Sequence, residues 1–238
     1  MSLWQKIKED FGLPKKNDPA LNSNFEVFFN YPGVWAIFYY RIANILYKKN
    51  FTKLARFISG ISQIFTNIDI HPGCNIGRRV FIDHGFGVVI GQTSVIHDDV
   101  LIYQGVTLGG VSLSHGKRHP TIQSFTTIGA GAKILGNITV GKHAKIGANS
   151  VVVGDVKANC TAIGVPAKVV REKRSSKKDE ISLDHHILPD VSKEMFTYLI
   201  KRVAILEHAI KEQENIDVSK EDKELEHIYK KFLSVMKQ

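Results

Sequence analysis

Residues 128–152 read IGAGAKILGNITVGKHAKIGANSVV, and in this stretch an aliphatic residue returns at every sixth position. The same spacing occurs upstream, from Ile70 to Ile82 and from Ile90 to Leu108. A period of six fits neither an amphipathic helix, with about 3.6 residues per turn, nor a strand that alternates every second residue. Hexapeptide repeats are typical of parallel β-helices, so the spacing predicts a solenoid with three flat sides.

The positions four residues after each repeated aliphatic residue support this prediction. None of them is charged and most are small, as the interior of a narrow triangular coil requires: Cys74, Val80, Phe86, Ser94, Val100, Val106, Ala132, Ile138, Ala144, Ser150, Val156 and Ala162. The predicted fold is mainly β. It comprises an N-terminal α-helical domain over residues 1–67, a left-handed parallel β-helix over 68–170, and a charged linker and helical tail over 171–238.

Two irregularities interrupt the repeat. Its phase slips between Val88 and Ile90, just after Asp83-His84-Gly85, and residues 109–127 form a long insertion that predicts a loop. Insertions in a solenoid become loops on one face, which is often the binding face. These two breaks therefore predict where a functional site lies.

The segments outside the repeat predict helices. In the front part these cover residues 2–12 and about 20–64, the second starting with Asp18 as N-cap and Pro19 at the first helical position. In the tail, apolar residues follow a 3-4-3-4 spacing that is typical of a short heptad helix: Phe196, Leu199, Val203, Leu206 and Ile210.

Composition excludes several classes of function. The net charge of +9 comes without a basic-aromatic platform or a zinc-finger spacing, so we expect no nucleic-acid partner. The sequence contains no uninterrupted run of eighteen apolar residues, so we expect no membrane-spanning helix. Two cysteines, Cys74 and Cys160, are too few for a disulfide framework and suit a reducing cytosol. We therefore expect a cytoplasmic protein.

Histidines lie close to both irregularities. Histidine is the natural general base near neutral pH, and a carboxylate partner fixes its tautomer. A metal site would need three ligands around one open position, but the sequence has no suitable pair and the histidines do not share a phase of the repeat. We therefore predict no metal. The candidate clusters are Asp69-Ile70-His71, Asp83-His84 and Arg118-His119-Pro120.

Several of these motifs resemble those of the bacterial serine O-acetyltransferases. They are DIHPGCNIG (69–77), IDHGFGVVIGQT (82–93), QGVTLGG (104–110), GKRHPTI (116–122), the repeat over 129–152 and GVPAKVV (164–170), with NDPA (17–20) upstream. The short helical front and the charged tail resemble the shorter, Bacillus-type members of that family. The resemblance implies acetyl transfer from acetyl-CoA to the hydroxyl of L-serine, which gives O-acetylserine for cysteine biosynthesis.

The resemblance also implies a role for particular residues. His84 would be the general base and Asp69 would orient it. The zwitterionic substrate would be bound by carboxylates at one end and by a guanidinium at the other: Asp18 and Asp83 for the ammonium group, Arg118 for the carboxylate, and His119 lining the pocket. An alcohol is a poor nucleophile at its own pKa, so a positioned base is what this chemistry needs.

Coenzyme A would lie along the outside of the coils, in the cleft between two prisms. Its implied contacts are Gly110, Ala130 and Ala148, with Lys168 at a phosphate. The implied assembly is a homotrimer or a dimer of trimers, in which the loop of Arg118 could reach a neighbouring subunit. The sequence lacks the terminal isoleucine that docks into cysteine synthase, so we do not expect that complex.

One departure from the family pattern keeps two alternatives open. Gln92 stands where the family usually has a glutamate, so a carboxylate is missing near the pocket. A related hexapeptide acyltransferase, acting on another hydroxy-amino acid or a sugar, is the first alternative. The second is a non-catalytic β-helix that serves as a scaffold. The set Asp18, Asp83 and Arg118 favours a zwitterionic substrate over a sugar. The presence of Asp69, His84 and Arg118-His119 together argues against the scaffold, which needs none of them.

Overall fold

A computed structural model describes residues 2–113, 115–172 and 191–214 of the chain. The front part consists of five helices: α1 (Leu3–Phe11), α2 (Leu13–Asn17), α3 (Glu26–Asn30), α4 (Pro32–Lys48) and α5 (Thr52–Thr66). The predicted helix start at Pro19 is wrong. Asp18 instead caps the C-terminus of α2, and its carboxylate accepts a hydrogen bond from the Ala20 N–H in a turn.

The strands that follow are short and stack into three sheets. In chain order they are β1 (Asp69–Ile70), β2 (Asn75–Ile76), β3 (Phe81–Ile82), β4 (Val89–Ile90), β5 (Val95–Ile96), β6 (Leu101–Ile102), β7 (Thr107–Gly109), β8 (Thr121–Ile122), β9 (Thr127–Ile128), β10 (Lys133–Leu135), β11 (Thr139–Val140), β12 (Lys145–Ile146), β13 (Val151–Val152), β14 (Cys160–Gly164) and β15 (Ala167–Glu172). Face A has the order β1-β4-β7-β10-β13, face B β2-β5-β8-β11 and face C β3-β6-β9-β12-β14-β15. All pairings are parallel except β14 with β15, and the predicted left-handed parallel β-helix is confirmed.

The repeated aliphatic residues fill the interior of the coils, as the spacing predicts. Ile90, Ile128 and Ile146 are each at most 1% exposed. Phe86 is an exception, because it is 60% exposed and Val88 takes the interior position. The reason is a longer corner after β3: Asp69 is registered with Val89, twenty residues later, whereas Val89 is registered with Thr107, eighteen residues later.

The second irregularity is shorter than predicted. β8 lies inside the segment 109–127 that the sequence predicts as a loop, and it pairs with β5 and β11. Ile122 of β8 is fully buried and stands six residues before Ile128, so it belongs to the repeat. Within the segment 109–127, the chain returns to the coil at β8, so the inserted loop lies between β7 and β8.

Buried polar contacts hold the helical front on the first coils. Arg41 of α4 pairs with Asp10 of α1 at 3.2 Å and also donates to the carbonyl oxygens of Ile76 and Gly77. The Tyr40 hydroxyl donates to the Cys74 carbonyl. The described residues up to 172 accordingly form one compact unit, and the predicted boundary at 67/68 marks a change from helix to strand within it.

The tail contributes α6 (Val191–Glu214), which belongs to a second unit. It covers the predicted heptad helix, and the side chains of Phe196, Leu199, Val203 and Leu206 are exposed. The side chain of Ile210 lies outside the described residues, and so does the predicted charged linker, residues 171–180, from residue 173 onward. None of the helices that the structure describes is long and apolar enough to cross a membrane.

Candidate active site

The long corner between β3 and β4 presents His84. Its φ of 57° lies in the left-handed region, which non-glycine residues rarely adopt. The Asp83 carboxylate accepts the His84 N–H at 3.0 Å, and the Gly87 N–H donates to the carbonyl of Asn67, the residue that ends α5. The two additional residues of this corner are thus held by α5, and the His84 side chain is exposed.

Two carboxylates accompany His84. The pKa of Asp18 is lowered by a 2.6 Å hydrogen bond from the Tyr31 hydroxyl, and a second bond, from the Ala20 N–H, adds to this effect. Burial raises the pKa of Asp83; the charge of His84 opposes this change and the charge of Asp18 adds to it. The charge of His84 acts on both carboxylates, and the charge of Asp18 acts on Asp83. The structure therefore brings together the predicted base and the two carboxylates predicted for an ammonium group.

Sequence reasoning did not find Tyr31. Its ring is buried in a small apolar cluster between the helices and the coil, while its hydroxyl reaches Asp18. The two residues are thirteen positions apart and no repeat relates them, so nothing in the sequence signals the contact.

Asp69 lies close to this corner but is not bonded to the base in the structure. It begins β1, and its register partner is Val89 of β4, which directly follows the His84 corner. Among residues 2–113 no hydrogen bond joins the Asp69 carboxylate to the His84 ring. The orienting role of Asp69 stays a prediction.

Arg118 and His119 form a second cluster at the end of the inserted loop. The Thr93 hydroxyl accepts the N–H groups of Arg118 and His119 at 3.0 and 3.1 Å, and it lies 2.8 Å from His119 Nδ1. The His119 ring packs on Gly91, where an added Cβ would lie only 2.0 Å from Cδ2. Burial, assisted by the charges of Arg118 and Lys117, lowers the pKa of His119. The sequence motif contains Thr93, yet its contact with this loop was not predicted.

A neutral histidine lies beside the second cluster. His71 accepts the Gly73 N–H on Nδ1 at 3.0 Å and stands edge-on to the Tyr47 ring. Burial lowers the pKa of His71 to about 4, and nearby cations, first of all Arg56, add to this shift. Gln92 donates to the Tyr47 hydroxyl at 3.1 Å, so an amide occupies the place where the resemblance implies a carboxylate.

The two clusters occupy opposite edges of face A. His84 lies at the edge between faces C and A, whereas Thr93 and Arg118 lie at the edge between faces A and B. The extended segment from Val88 to Gly91, which contains β4, spans roughly 10 Å at about 3.3 Å per residue. One chain therefore does not bring the two halves of the predicted site together.

The predicted coenzyme A contacts are divided in the same way. Ala130 and Ala148 occupy successive corners at the His84 edge, and the Asn149 N–H donates to the Ala130 carbonyl at 2.8 Å. Gly110 lies at the other edge, where an added Cβ would be 3.1 Å from Arg118 Cγ. Lys168 is exposed on β15. The described residues contain no group of three His, Cys, Asp or Glu side chains that could hold a metal ion.

Comparison with known proteins identifies the family to which the chain belongs. The family model for bacterial transferase hexapeptide (six repeats) matches residues 119–154. The chain is 47% identical to the serine acetyltransferase of Bacillus subtilis strain 168 over 210 residues, which cover 88% of this chain and 96% of that protein. The chain belongs to the serine acetyltransferase family. The resemblance on the motifs is thereby confirmed.

Further members of the family agree. The serine acetyltransferase of Synechococcus elongatus is 42% identical over 86% of this chain and 83% of its own length. The crystal structure of Neisseria gonorrhoeae serine acetyltransferase in complex with serine has a TM-score of 0.68 at 39% identity, covering 71% of this chain and 69% of that one. The Brucella abortus strain S19 enzyme in complex with coenzyme A has a TM-score of 0.69 at 40% identity, covering 73% and 69%.

Proposed function

We propose that the protein transfers the acetyl group of acetyl-CoA to the hydroxyl of L-serine, as a serine acetyltransferase. The observation that carries this proposal is His84 beside two carboxylates, in a chain 47% identical to a serine acetyltransferase over 88% of its length. The relatives crystallised with serine and with coenzyme A support the choice of both substrates.

His84 acts as the base in this proposal. It takes the serine hydroxyl proton while the oxygen attacks the thioester carbonyl, and the carbon–sulfur bond breaks as the tetrahedral intermediate collapses. The same imidazole then returns the proton to the leaving thiolate, so the histidine ends as it began. General-base catalysis of this kind contributes about 10²–10⁴-fold.

Charges at the two ends of serine explain its selection. Asp18 and Asp83 receive the ammonium group, since their negative charges complement it. The Arg118 guanidinium offers a planar fork to the carboxylate, a geometry that lysine lacks. Asp69, at the neighbouring position of face A, orients the His84 ring once the substrate is bound.

The assembly that completes the site is a homotrimer. Within one chain the base and the carboxylate-binding residues lie at opposite edges of face A. In a closed ring, each edge meets the opposite edge of its neighbour, so Arg118 and His119 of one subunit come to His84 of the next. Coenzyme A then lies in the cleft, between Ala130 and Ala148 of one prism and Gly110 of the other, with Lys168 at a phosphate.

The activity is tested by following thiol release from acetyl-CoA with L-serine, homoserine and a panel of sugars. We expect turnover with L-serine and a loss of about 10²–10⁴-fold in kcat in His84→Asn. Asparagine tolerates the left-handed backbone at this position, so the loss reports the ring alone. His143→Asn is the matched control, because His143 also has a positive φ, 58°, but lies between faces B and C. Preference for a sugar, or equal rates in His84→Asn and the parent, would contradict the proposal.

The shared site is tested by mixing two inactive variants. His84→Asn and Arg118→Ala are each nearly inactive, but in every mixed trimer one of the three interfaces pairs an intact His84 with an intact Arg118, and three quarters of randomly assembled trimers are mixed. Random assembly at equal amounts should restore about a quarter of the parent's activity. Light scattering on the full chain gives the number of subunits. Activity no greater than that of the separate variants would place the whole site in one subunit.

A further inference from the structure

Hydrogen-bond accounting at Thr93 fixes the position of a proton. A threonine hydroxyl has one proton to donate and two lone pairs that accept. The N–H groups of Arg118 and His119 both donate to Oγ1, at 3.0 and 3.1 Å, and so use its lone pairs. The remaining proton therefore points to the remaining neighbour, His119 Nδ1, at 2.8 Å.

His119 Nδ1 must then be an acceptor. The backbone N–H of Thr93 donates to the same nitrogen at 3.2 Å, and a protonated Nδ1 would face two donors with no acceptor between them. The ring is consequently neutral, with its single proton on Nε2. The charged or titratable groups around it are Lys117 and Arg118 on its own loop and His71 at the corner after β1, and the two cations disfavour a second proton.

The Nε2–H group has no hydrogen-bond partner within the described part of the chain, and the atom remains accessible from outside. His119 is only 8% exposed. Its Nε2 lies against two glycines: an added Cβ would be 2.1 Å away at Gly91 and 3.2 Å away at Gly110. A donor that is fixed in place, accessible and without a partner among the described residues is available to an acceptor that a ligand supplies.

We propose that Thr93 is a positioning residue that sets His119 as a neutral hydrogen-bond donor, whose Nε2–H binds a negatively charged oxygen of the reacting complex. This inference rests on the proposed function, because that function supplies two such oxygens: the serine carboxylate and the oxyanion of the tetrahedral intermediate. The same neutral donor serves either, and the two are distinguished by kinetics.

The tautomer is measured directly by ¹⁵N NMR of the full-length protein labelled at histidine. The signals that disappear in His119→Gln belong to His119, and we expect one protonated nitrogen, Nε2, and one unprotonated nitrogen, Nδ1. Thr93→Ser should keep this pattern, whereas Thr93→Val, in which only the backbone N–H still donates to Nδ1, should give a mixture of the two tautomers. A doubly protonated ring, or a proton on Nδ1 in the parent, would overturn the proposal. This measurement needs no turnover, so its failure is distinct from failure of the serine acetyltransferase assignment.

Kinetics with acetyl-CoA and L-serine identify the oxygen. We expect Thr93→Val to lower kcat/KM for serine by about tenfold to a hundredfold, since a donor to a charged oxygen is left misplaced, and Thr93→Ser to restore most of it. A rise in KM alone points to the substrate carboxylate, and a fall in kcat alone to the oxyanion. His119→Gln, whose amide nitrogen can replace Nε2, should retain more activity than His119→Asn.

A double-mutant cycle separates positioning through His119 from a merely structural role. If Thr93 acts through this ring, Thr93→Val adds little to the loss already caused by His119→Ala, so the two changes are strongly non-additive. Full additivity would mean that Thr93 only holds the loop, and would refute the proposal.

Discussion

Gly91→Ala tests the geometry of the second cluster most sharply. The added methyl group would lie 2.0 Å from His119 Cδ2 and 2.1 Å from Nε2, whereas carbon atoms in contact are about 3.5 Å apart. The ring must therefore withdraw by about 1.5 Å. It has little freedom to do so, because it is buried and Thr93 holds its Nδ1.

The expected cost follows from this displacement. A misplacement of about 1 Å at a site can lower the rate about 10²-fold, so kcat/KM for L-serine should fall by about that factor. Overpacking of this kind also costs about 1–3 kcal/mol of stability, which thermal unfolding measures. Gly91 is not in the left-handed region, so the alanine strains no backbone dihedral and the effect reports the contact.

Gly116→Ala is the matched control. Gly116 lies in the inserted loop that ends at His119, and an added Cβ there would meet no atom within 4 Å. Steady-state kinetics of both variants with L-serine should therefore give nearly parental values for Gly116→Ala and a large loss for Gly91→Ala. Equal losses in both, or full activity in Gly91→Ala, would refute the packing of His119 on Gly91.

Three further predictions concern the rest of the molecule. In Tyr31→Phe the pKa of Asp18 should rise towards its ordinary value, because the hydrogen bond that lowers it is lost. As the pH is lowered, serine affinity measured by calorimetry should therefore begin to fall at a higher pH than in the parent. Identical pH profiles would contradict this. The folded state should lose stability as the pH falls from about 6.5 to about 4, since His71 takes up a proton in the unfolded chain first, and denaturation of His71→Asn should lack this component. Arg41→Met should leave Asp10 buried without its partner and lower the free energy of unfolding by about 3–5 kcal/mol in urea titrations; a loss below about 1 kcal/mol would be evidence against the pair.

The period of six predicts the interior of the coils almost residue by residue, because the same inward-facing positions recur on each side of every coil. It fails at Phe86 for a physical reason: two residues are added in one corner, and every later position shifts by two. The period also extends to Ile122, which keeps the spacing to Ile128 although it stands beside a loop, so the inserted loop is shorter than the sequence predicts. The repeat therefore predicts the fold correctly, and its errors concern only which residues occupy the interior positions near the two irregularities.

The candidate site could be predicted only in part. His84 and Asp83 adjoin a break in the period, and Arg118 and His119 lie in the other, so both breaks predict the location of chemistry. Their supports were not predictable, since the contacts of Tyr31 with Asp18 and of Thr93 with His119 join positions that no spacing relates. The sequence also does not predict that the site is divided between two edges, because this depends on which corner of the coil each break occupies.

That division follows from the physics of the solenoid. Coils of equal length place equivalent residues in rows along each face, and a row of equivalent residues offers no unique pocket. A base and an anion-binding loop become unique only where the chain departs from the repeat, and the departures here lie at the two edges of one face. A rigid prism cannot bring those edges together, and under our proposal a second prism supplies the missing half. Activity would then depend on assembly, so loss of assembly should abolish turnover even where every coil remains folded.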